Sequence, residues 1–211
     1  MANRNGGGER NYGHMRMPDA AARLILSADD HATMEIAAQE MGMGTATVHA
    51  VVVADRLGLP LDRVQVNYGD STLPGKVMAV GSQETAAFGA AIAAAHAKLV
   101  KQLLALAGND SPLAGLSPEE VGGLDVGLAK LDDPARHESY ASILTRAGKP
   151  ELVVEAKAPP VEAMHWSMHS HSAMFCEVRV NAVTGEIRIS RMLAADGCLR
   201  QPVVQEVGTV P

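Results

Sequence analysis

Arg23-Leu-Ile-Leu-Ser27, Asp29-Asp30-His31 and Ala32-Thr-Met-Glu-Ile-Ala37 read as strand, turn and strand, and they open straight onto Gln39-Glu-Met-Gly-Met-Gly-Thr-Ala-Thr47. Apolar and polar residues alternate through Ala32–Ala37, as in a strand with one buried face. The pair predicts a β-hairpin. Glycines then precede a stretch whose apolar residues Val48, Val51, Val52 and Leu57 predict a helix from Thr45 to Leu57. Thr45 or Thr47 is its expected N-cap, and Gly58 followed by Pro60 its stop.

The pattern repeats downstream. Leu59–Tyr68 turns into a strand, and Gly69-Asp-Ser-Thr-Leu-Pro-Gly75 is loop chemistry. Gly81-Ser-Gln-Glu-Thr-Ala-Ala87 then leads into an Ala/Leu helix running to about Ala107, with Ser82 and Thr85 as expected caps. His96 and Lys98 interrupt that apolar run, so it is expected to be a packed helix and not a membrane span.

Further on, Ser111–Pro134 is rich in Gly, Pro and Asp, with a short helix expected from Ser117-Pro-Glu-Glu120. Glu138–Arg146 predicts a helix and Leu152–Ala156 a strand. Met174–Asn181 and Glu186–Leu193, joined by Ala182-Val-Thr-Gly185, predict a second hairpin. Its faces carry Phe175, Glu177 and Arg179 on one side and Cys176, Val178 and Val180 on the other. The chain opens and closes with hairpins around two main helices, so the expected class is α+β, not doubly wound. The expected division is a loose lead-in at 1–20 and a first cofactor-binding α+β unit at 21–110. An irregular connection at 111–137, a second partial α+β unit at 138–195 and a divergent tail at 196–211 complete it.

Composition narrows the function. A hydrophobic fraction of 47% with 3% aromatics leaves Ala, Val, Leu and Met to fill the core of the 211 residues. A net charge of −6 argues against a nucleic-acid surface. It leaves room for a local anion site, because backbone N–H groups bind phosphate without Lys or Arg. Cys176 and Cys198 are too few for an iron–sulfur or zinc site and are expected to be reduced thiols. His165, His169 and His171 lie close together, but no carboxylate or thiol is clearly placed with them beyond Glu162 and Cys176. No metal ligand set and no catalytic triad is assigned. The polar N-terminus lacks the apolar segment of a signal peptide, so a cytoplasmic location is expected.

Both glycine loops sit at helix starts, where free N–H groups and the helix dipole suit an anion. Neither is a Rossmann fingerprint or a P-loop, lacking the third glycine and the Gly-Lys-Ser/Thr. In order along the chain, Gln39–His49, Ala54–Val64, Tyr68–Pro74, Gly81–Ala91 and Cys176–Arg191 resemble motifs of the xanthine dehydrogenase and aldehyde oxidase large subunits. That resemblance spans about Met17 to Arg191 and implies a molybdopterin cofactor, in bacteria usually the cytosine dinucleotide. By position it implies that Gly42, Met43, Gly44 and Thr45 contact the pterin and metal end. Gly81, Ser82, Gln83, Thr85, Ala86 and Ala87 would then form a second cradle. Met43 stands where relatives often carry Gln, and a Met cannot donate a hydrogen bond, so contact there is expected through the backbone.

The resemblance further implies hydroxylation of an aldehyde or N-heterocycle with water as the oxygen source. The remainder of a large subunit would be a partner. Iron–sulfur and FAD subunits, or a cytochrome, would accept electrons. The family's general base is a glutamate in a G-E-x-P-type motif. The 211 residues contain no such motif, so no catalytic residue is assigned and the chain alone is expected to be inactive. Asp196–Pro202 also carries the family's next motif in altered order, which suggests a truncated or frameshifted C-terminus. The alternative reading is a non-catalytic assembly module whose glycine loops are structural turns.

Overall fold

The computed structural model describes residues 19–80, 83–159, 172–196 and 203–207. They fall into two compact units, the first ending by residue 164 and the second holding the later strands.

The first unit is built on a four-stranded sheet in the order β3-β2-β1-β7. Strands β1 (Ala20–Ser27) and β2 (Ala32–Glu35) form the expected antiparallel hairpin, with Leu24 opposite Met34. Strand β3 (Val64–Asn67) lies parallel to β2, so the chain must cross over between them. Helix α1 (Thr45–Leu57) makes that crossover. Gly58, with φ 61, closes α1 by donating back to the carbonyls of Ala54 and Asp55.

One face of the sheet is apolar. Ala22, Leu24, Leu26, Ala32, Met34, Leu152 and Val154 are all buried there. The long helix α2 (Glu84–Ala107) lies against β1 and β7. Phe88, Ala91, Ile92, Ala95, Leu99 and Leu103 recur at helical spacing on its buried side. Each large side chain buried this way contributes about 1.5–3 kcal/mol, and the alanines let helix and sheet approach closely. α2 is long and apolar enough to cross a membrane by length and composition, but its apolar side is the core of this unit. The opposite sheet face is polar. There Arg23 bonds Glu35 at 2.8 Å and Glu155 at 3.0 Å, its cross-strand neighbours on either side.

Two features differ from the sequence reading. The stretch 111–137 is not irregular. After a capped 3-10 turn at Pro118–Glu120 it forms an antiparallel meander of β4 (Val121–Leu124), β5 (Gly127–Lys130) and β6 (Asp133–Ser139). Its strands are short and its turn residues dense, so no period-2 signal stands out. The second difference is the boundary near 138. Helix α3 (Tyr140–Arg146) and strand β7 (Glu151–Ala158) belong to the first unit, because β7 pairs with β1 along its whole length. That pairing is long-range and invisible in local pattern.

The second unit is an antiparallel sheet of β8 (Ser172–Val180), β9 (Ile187–Asp196) and β10 (Val203–Val207), in the order β10-β9-β8. The β8–β9 hairpin turns where expected. Asn181 Oδ1 accepts from the N–H groups of Val183 and Thr184, and Gly185 takes a φ of 73. A register shift between Glu177 and Val178 breaks the simple alternation of faces. The tail, expected only to diverge, supplies β10.

Candidate functional site

The chain leaves β2 under tight control. Ile36 N–H donates to the Asn67 carbonyl, Ala37 N–H to the Pro74 carbonyl, and Gly69 N–H to the Ala38 carbonyl. Gln39 then ties the first loop to the second. Its N–H donates to Glu84 Oε1 at 2.7 Å, and its Oε1 accepts from Ala79 N–H at 3.0 Å. The two loops read from the sequence are therefore neighbours.

The helices behind them are neighbours too. His49 and Phe88 meet edge to face with ring centroids 5.9 Å apart. Each stands four residues beyond the first residue of its helix. Near the far end, His96 lies against Arg56: burial and then the Arg56 charge lower the His96 pKa, and the Arg56 backbone offsets part of this. These stand eleven and twelve residues in. α1 and α2 thus run parallel in one register, with their N-termini abreast and the positive ends of both dipoles side by side.

The start of α1 is capped in an unexpected way. Neither Thr45 nor Thr47 is the N-cap. Gly44 is, with φ 75, and it has no side-chain cap of its own. The acceptor is Glu40. Its Oε1 takes the N–H groups of Gly42 at 2.8 Å and Gly44 at 3.1 Å, and its Oε2 that of Ala46 at 3.3 Å. Desolvation works to raise the Glu40 pKa, but backbone bonds from Gly44, Ala46, Gly42 and Met43 outweigh it and hold the carboxyl below its ordinary value. The anion that α1 attracts is thus first of all its own carboxylate. At α2 the N-cap is Gln83, with no side-chain cap, and Glu84 is the first helical residue. Ser82, an expected cap there, lies outside the described residues.

In the first turns of the two helices are three buried polar residues that the sequence reading missed. Thr45, His49 and Glu84 are 2%, 0% and 4% exposed. Thr45 Oγ1, both ring nitrogens of His49 and Glu84 Oε2 are shut off from solvent without a hydrogen-bond partner among the described residues. Burial pushes the Glu84 pKa up, the nearby Glu40 charge adds to this, and the Gln39 N–H offsets part of it. Burial pushes the His49 pKa down, offset in part by the Thr85 backbone, so the ring is held neutral. Polar atoms buried without partners cost about 1–3 kcal/mol each, and such a concentration is rare in a folded interior.

The other assigned positions divide clearly. Gly42, Met43 and Gly44 are exposed, and a Cβ added at either glycine would meet nothing within 4 Å. Thr45 is the exception, with its hydroxyl turned into the interior. Thr85 and Ala86 are exposed, Ala87 is half-buried, and Gln83 Nε2 donates to the Met78 carbonyl at 3.4 Å. Gly81 and Ser82 lie outside the described residues, as do Glu162, His165, His169, His171 and Cys198. Among the described residues no three His, Cys, Asp or Glu side chains gather as a metal site. Phe88 is a core residue whose ring stands where a side chain at Gly75 would fall. Thr45 and His49, four apart on an otherwise apolar helix face, were the signal available for the buried group. The counterpart Glu84 carried no such signal.

A family model described as a molybdopterin cofactor-binding domain matches residues 4–200. The aldehyde oxidoreductase molybdenum-binding subunit of Escherichia coli (strain K12) is 30% identical over 179 residues, covering 83% of this chain and 22% of that protein. The carbon monoxide dehydrogenase large chain of Hydrogenophaga pseudoflava is 29% identical over 167 residues, covering 74% and 20%. This chain thus spans about a fifth of the length of these curated relatives. Among solved structures, a Cu,Mo-CO dehydrogenase shares the fold with a TM-score of 0.66 at 21% identity, over 91% of this chain and 24% of that one. Quinoline 2-oxidoreductase from Pseudomonas putida 86 does so at 0.65 and 18% identity, over 91% and 25%.

Proposed function

Because the chain belongs to the molybdopterin cofactor-binding domain family, we propose that Gly42–Thr45 and Gly81–Ala87 hold part of a molybdopterin, in its cytosine dinucleotide form. The observation that carries this is the pair of parallel helix starts, set abreast beneath two tied loops. Open space at Gly42 and Gly44 lets a ligand approach the backbone there. The buried polar atoms of Thr45, His49 and Glu84 supply hydrogen-bonding capacity that the described residues do not use.

The charge pattern limits what binds where. Glu40 already fills the N–H groups of Gly42, Gly44 and Ala46. In this reading Glu40 shapes the loop, and phosphate is held away from the α1 start, toward the second loop. When bound, the molybdenum cofactor supplies the two-electron oxidation chemistry of a molybdenum hydroxylase acting on an aldehyde or N-heterocycle. The chain's own part is to orient the cofactor and screen one side of it from water.

The rest of a large subunit, with iron–sulfur and FAD subunits or a cytochrome taking the electrons, would complete such an enzyme. The chain by itself has no glutamate in a G-E-x-P context, so oxidation of aldehydes by the isolated chain is expected to be negligible.

Gly44→Asp tests the cofactor reading. Nothing surrounds a Cβ at this position, and Asp tolerates a left-handed φ better than most residues. After expression in a host that makes molybdopterin, the folded wild-type chain should retain pterin and molybdenum, measured by fluorescence and metal analysis. Gly44→Asp should retain neither while still folded by circular dichroism, its melting temperature lowered only by the strain of a side chain at this φ. A folded wild-type chain carrying neither would overturn the reading, and would favour a structural module docking through its hairpins.

A further inference from the structure

The β8–β9 hairpin has two unlike faces. Across the ladder Met174 stands opposite Ala194, Cys176 opposite Met192, Val178 opposite Ile189 and Val180 opposite Ile187. Residues directly opposite each other share a side of the sheet, so these form one apolar face without a charge. The other side carries Phe175 opposite Leu193, Glu177 opposite Arg191 and Arg179 opposite Arg188. A bulge makes the apolar face continuous. Between Ile189 and Met192 the chain spends two residues, Ser190 and Arg191, where β8 spends one, Glu177. The Ser190 hydroxyl donates to Glu177 Oε1 at 2.9 Å, which holds the extra residue on the charged side. Without that residue Met192 would turn to the charged side and Arg191 to the apolar one.

The large side chains of the apolar face are open to solvent. Met174, Val180 and Ile187 are 69%, 62% and 68% exposed, Val178, Ile189 and Met192 are exposed too, and Cys176 is an exposed free thiol. Their exposed surface comes to roughly 650 Å², above the about 300–600 Å² of the largest apolar patch on a typical monomer.

We propose that this face is a self-association surface, on which the same β8–β9 face of a second copy of the chain packs sheet on sheet. Two observations choose a second copy. The first is area. A symmetric pair would cover about 1,300 Å² in total, within the ~1,200–2,000 Å² that specific interfaces bury. The second is charge. The surface is its own complement, because bringing two such faces together sets no like charges in contact. The charges nearest to it are already paired within their own chain, Arg179 with Glu177 at 3.5 Å and Arg188 with Glu186 at 2.9 Å. Two sheets packed in this way lie about 10 Å apart, their inner side chains interleaved. The proposal stands apart from the cofactor reading, since none of these residues belongs to the two glycine loops.

Sedimentation velocity of the full 211-residue chain tests it, with the concentration raised from about 1 to about 100 μM so that mass action shows the association. Wild type should pass from monomer to dimer. High salt should leave the dimer intact, because screening weakens exposed ion pairs and not apolar burial. Ile189→Lys and Val178→Asp each put a charge on the face and should weaken the dimer by about tenfold or more. Both positions are exposed in the single chain, so each variant should keep the wild-type circular dichroism, and either one carries the test if the other does not fold. Phe175→Ser, on the opposite side, should dimerise as wild type does. Maleimide should label Cys176 more slowly in the dimer than in the dilute monomer, read by mass spectrometry of its peptide.

A folded wild type that stays monomeric throughout would overturn the proposal, and if its Cys176 also resists maleimide, another part of the chain covers the face. A dimer left intact by both charge variants, dissolved by salt, or weakened as much by Phe175→Ser would overturn it as well, since each result puts the contact elsewhere.

Discussion

At the scale of single residues, Glu40 and His49 carry the site's electrostatics. Glu40 spends its carboxylate on three N–H groups of the glycine loop, so Gly42 and Gly44 keep their left-handed φ values of 93 and 75 with an anion already in place. Glu40→Ala should free those donors and loosen residues 41–44, raising their amide exchange at little cost to global stability; unchanged exchange there would contradict the clamp. His49 gives a pH signature. Its folded pKa lies below the ordinary imidazole value because it is buried. Between that lowered value and about 6.5 the unfolded chain binds more protons than the folded one. Its contribution to stability is therefore complete above the unfolded value and lost as pH falls toward the folded one. Glu84, raised by burial, acts in the opposite sense, its contribution being lost as pH rises through its folded value. The melting temperature of wild type relative to His49→Phe should thus decline as pH falls below about 6.5, and parallel curves would count against a buried neutral His49. The open glycines were legible in sequence from their place before a helix. The caps were not, because Thr45 looks like a capping residue and only packing shows that its hydroxyl turns inward.

At the scale of elements, the parallel pairing of α1 and α2 is what sets two separate loops side by side. The bounds of α1 and the start of α2 were close to their sequence signals, since Gly58, Pro60 and the Ala/Leu periodicity punctuate strongly. The meander β4–β6 was not legible, because Gly122, Gly123, Gly127 and Pro134 mask strands of four to seven residues. Those glycines have a physical task. A Cβ at Gly123 would collide with the Arg56 carbonyl and the Leu57 backbone at the end of α1. Tyr140, buried beside this junction, donates its hydroxyl to the Leu57 carbonyl at 2.8 Å, and burial pushes its pKa far up. Gly123→Ala should therefore destabilise the chain by about 1–3 kcal/mol through overpacking, measured by urea unfolding. A neutral result would mean that α1 and β4 are free to separate.

At the scale of the whole chain, long-range ties decide the architecture. β7 closes the first sheet onto β1 from more than a hundred residues away, and the hydrophobic pattern of Leu152 and Val154 showed a strand but not its neighbour. Glu138 plays a similar part in the interior. It accepts hydrogen bonds from Ser111 and Ser142 and pairs with Arg146 at 2.7 Å, joining the segment after α2 to the meander and α3. Glu138→Ala should cost about 1–3 kcal/mol of stability by stranding these partners. Family membership was legible because several separated motifs occur in order, whereas the buried polar group could only be found once two helices were seen side by side. The central claim is that the two tied loops hold a molybdopterin. Amide hydrogen exchange of the full chain, with and without molybdopterin, tests it most directly: protection should rise in residues 39–47 and 83–87 and change little in the β8–β9 hairpin, whereas exchange unaltered in those loops, or protection confined to other segments, would contradict the account.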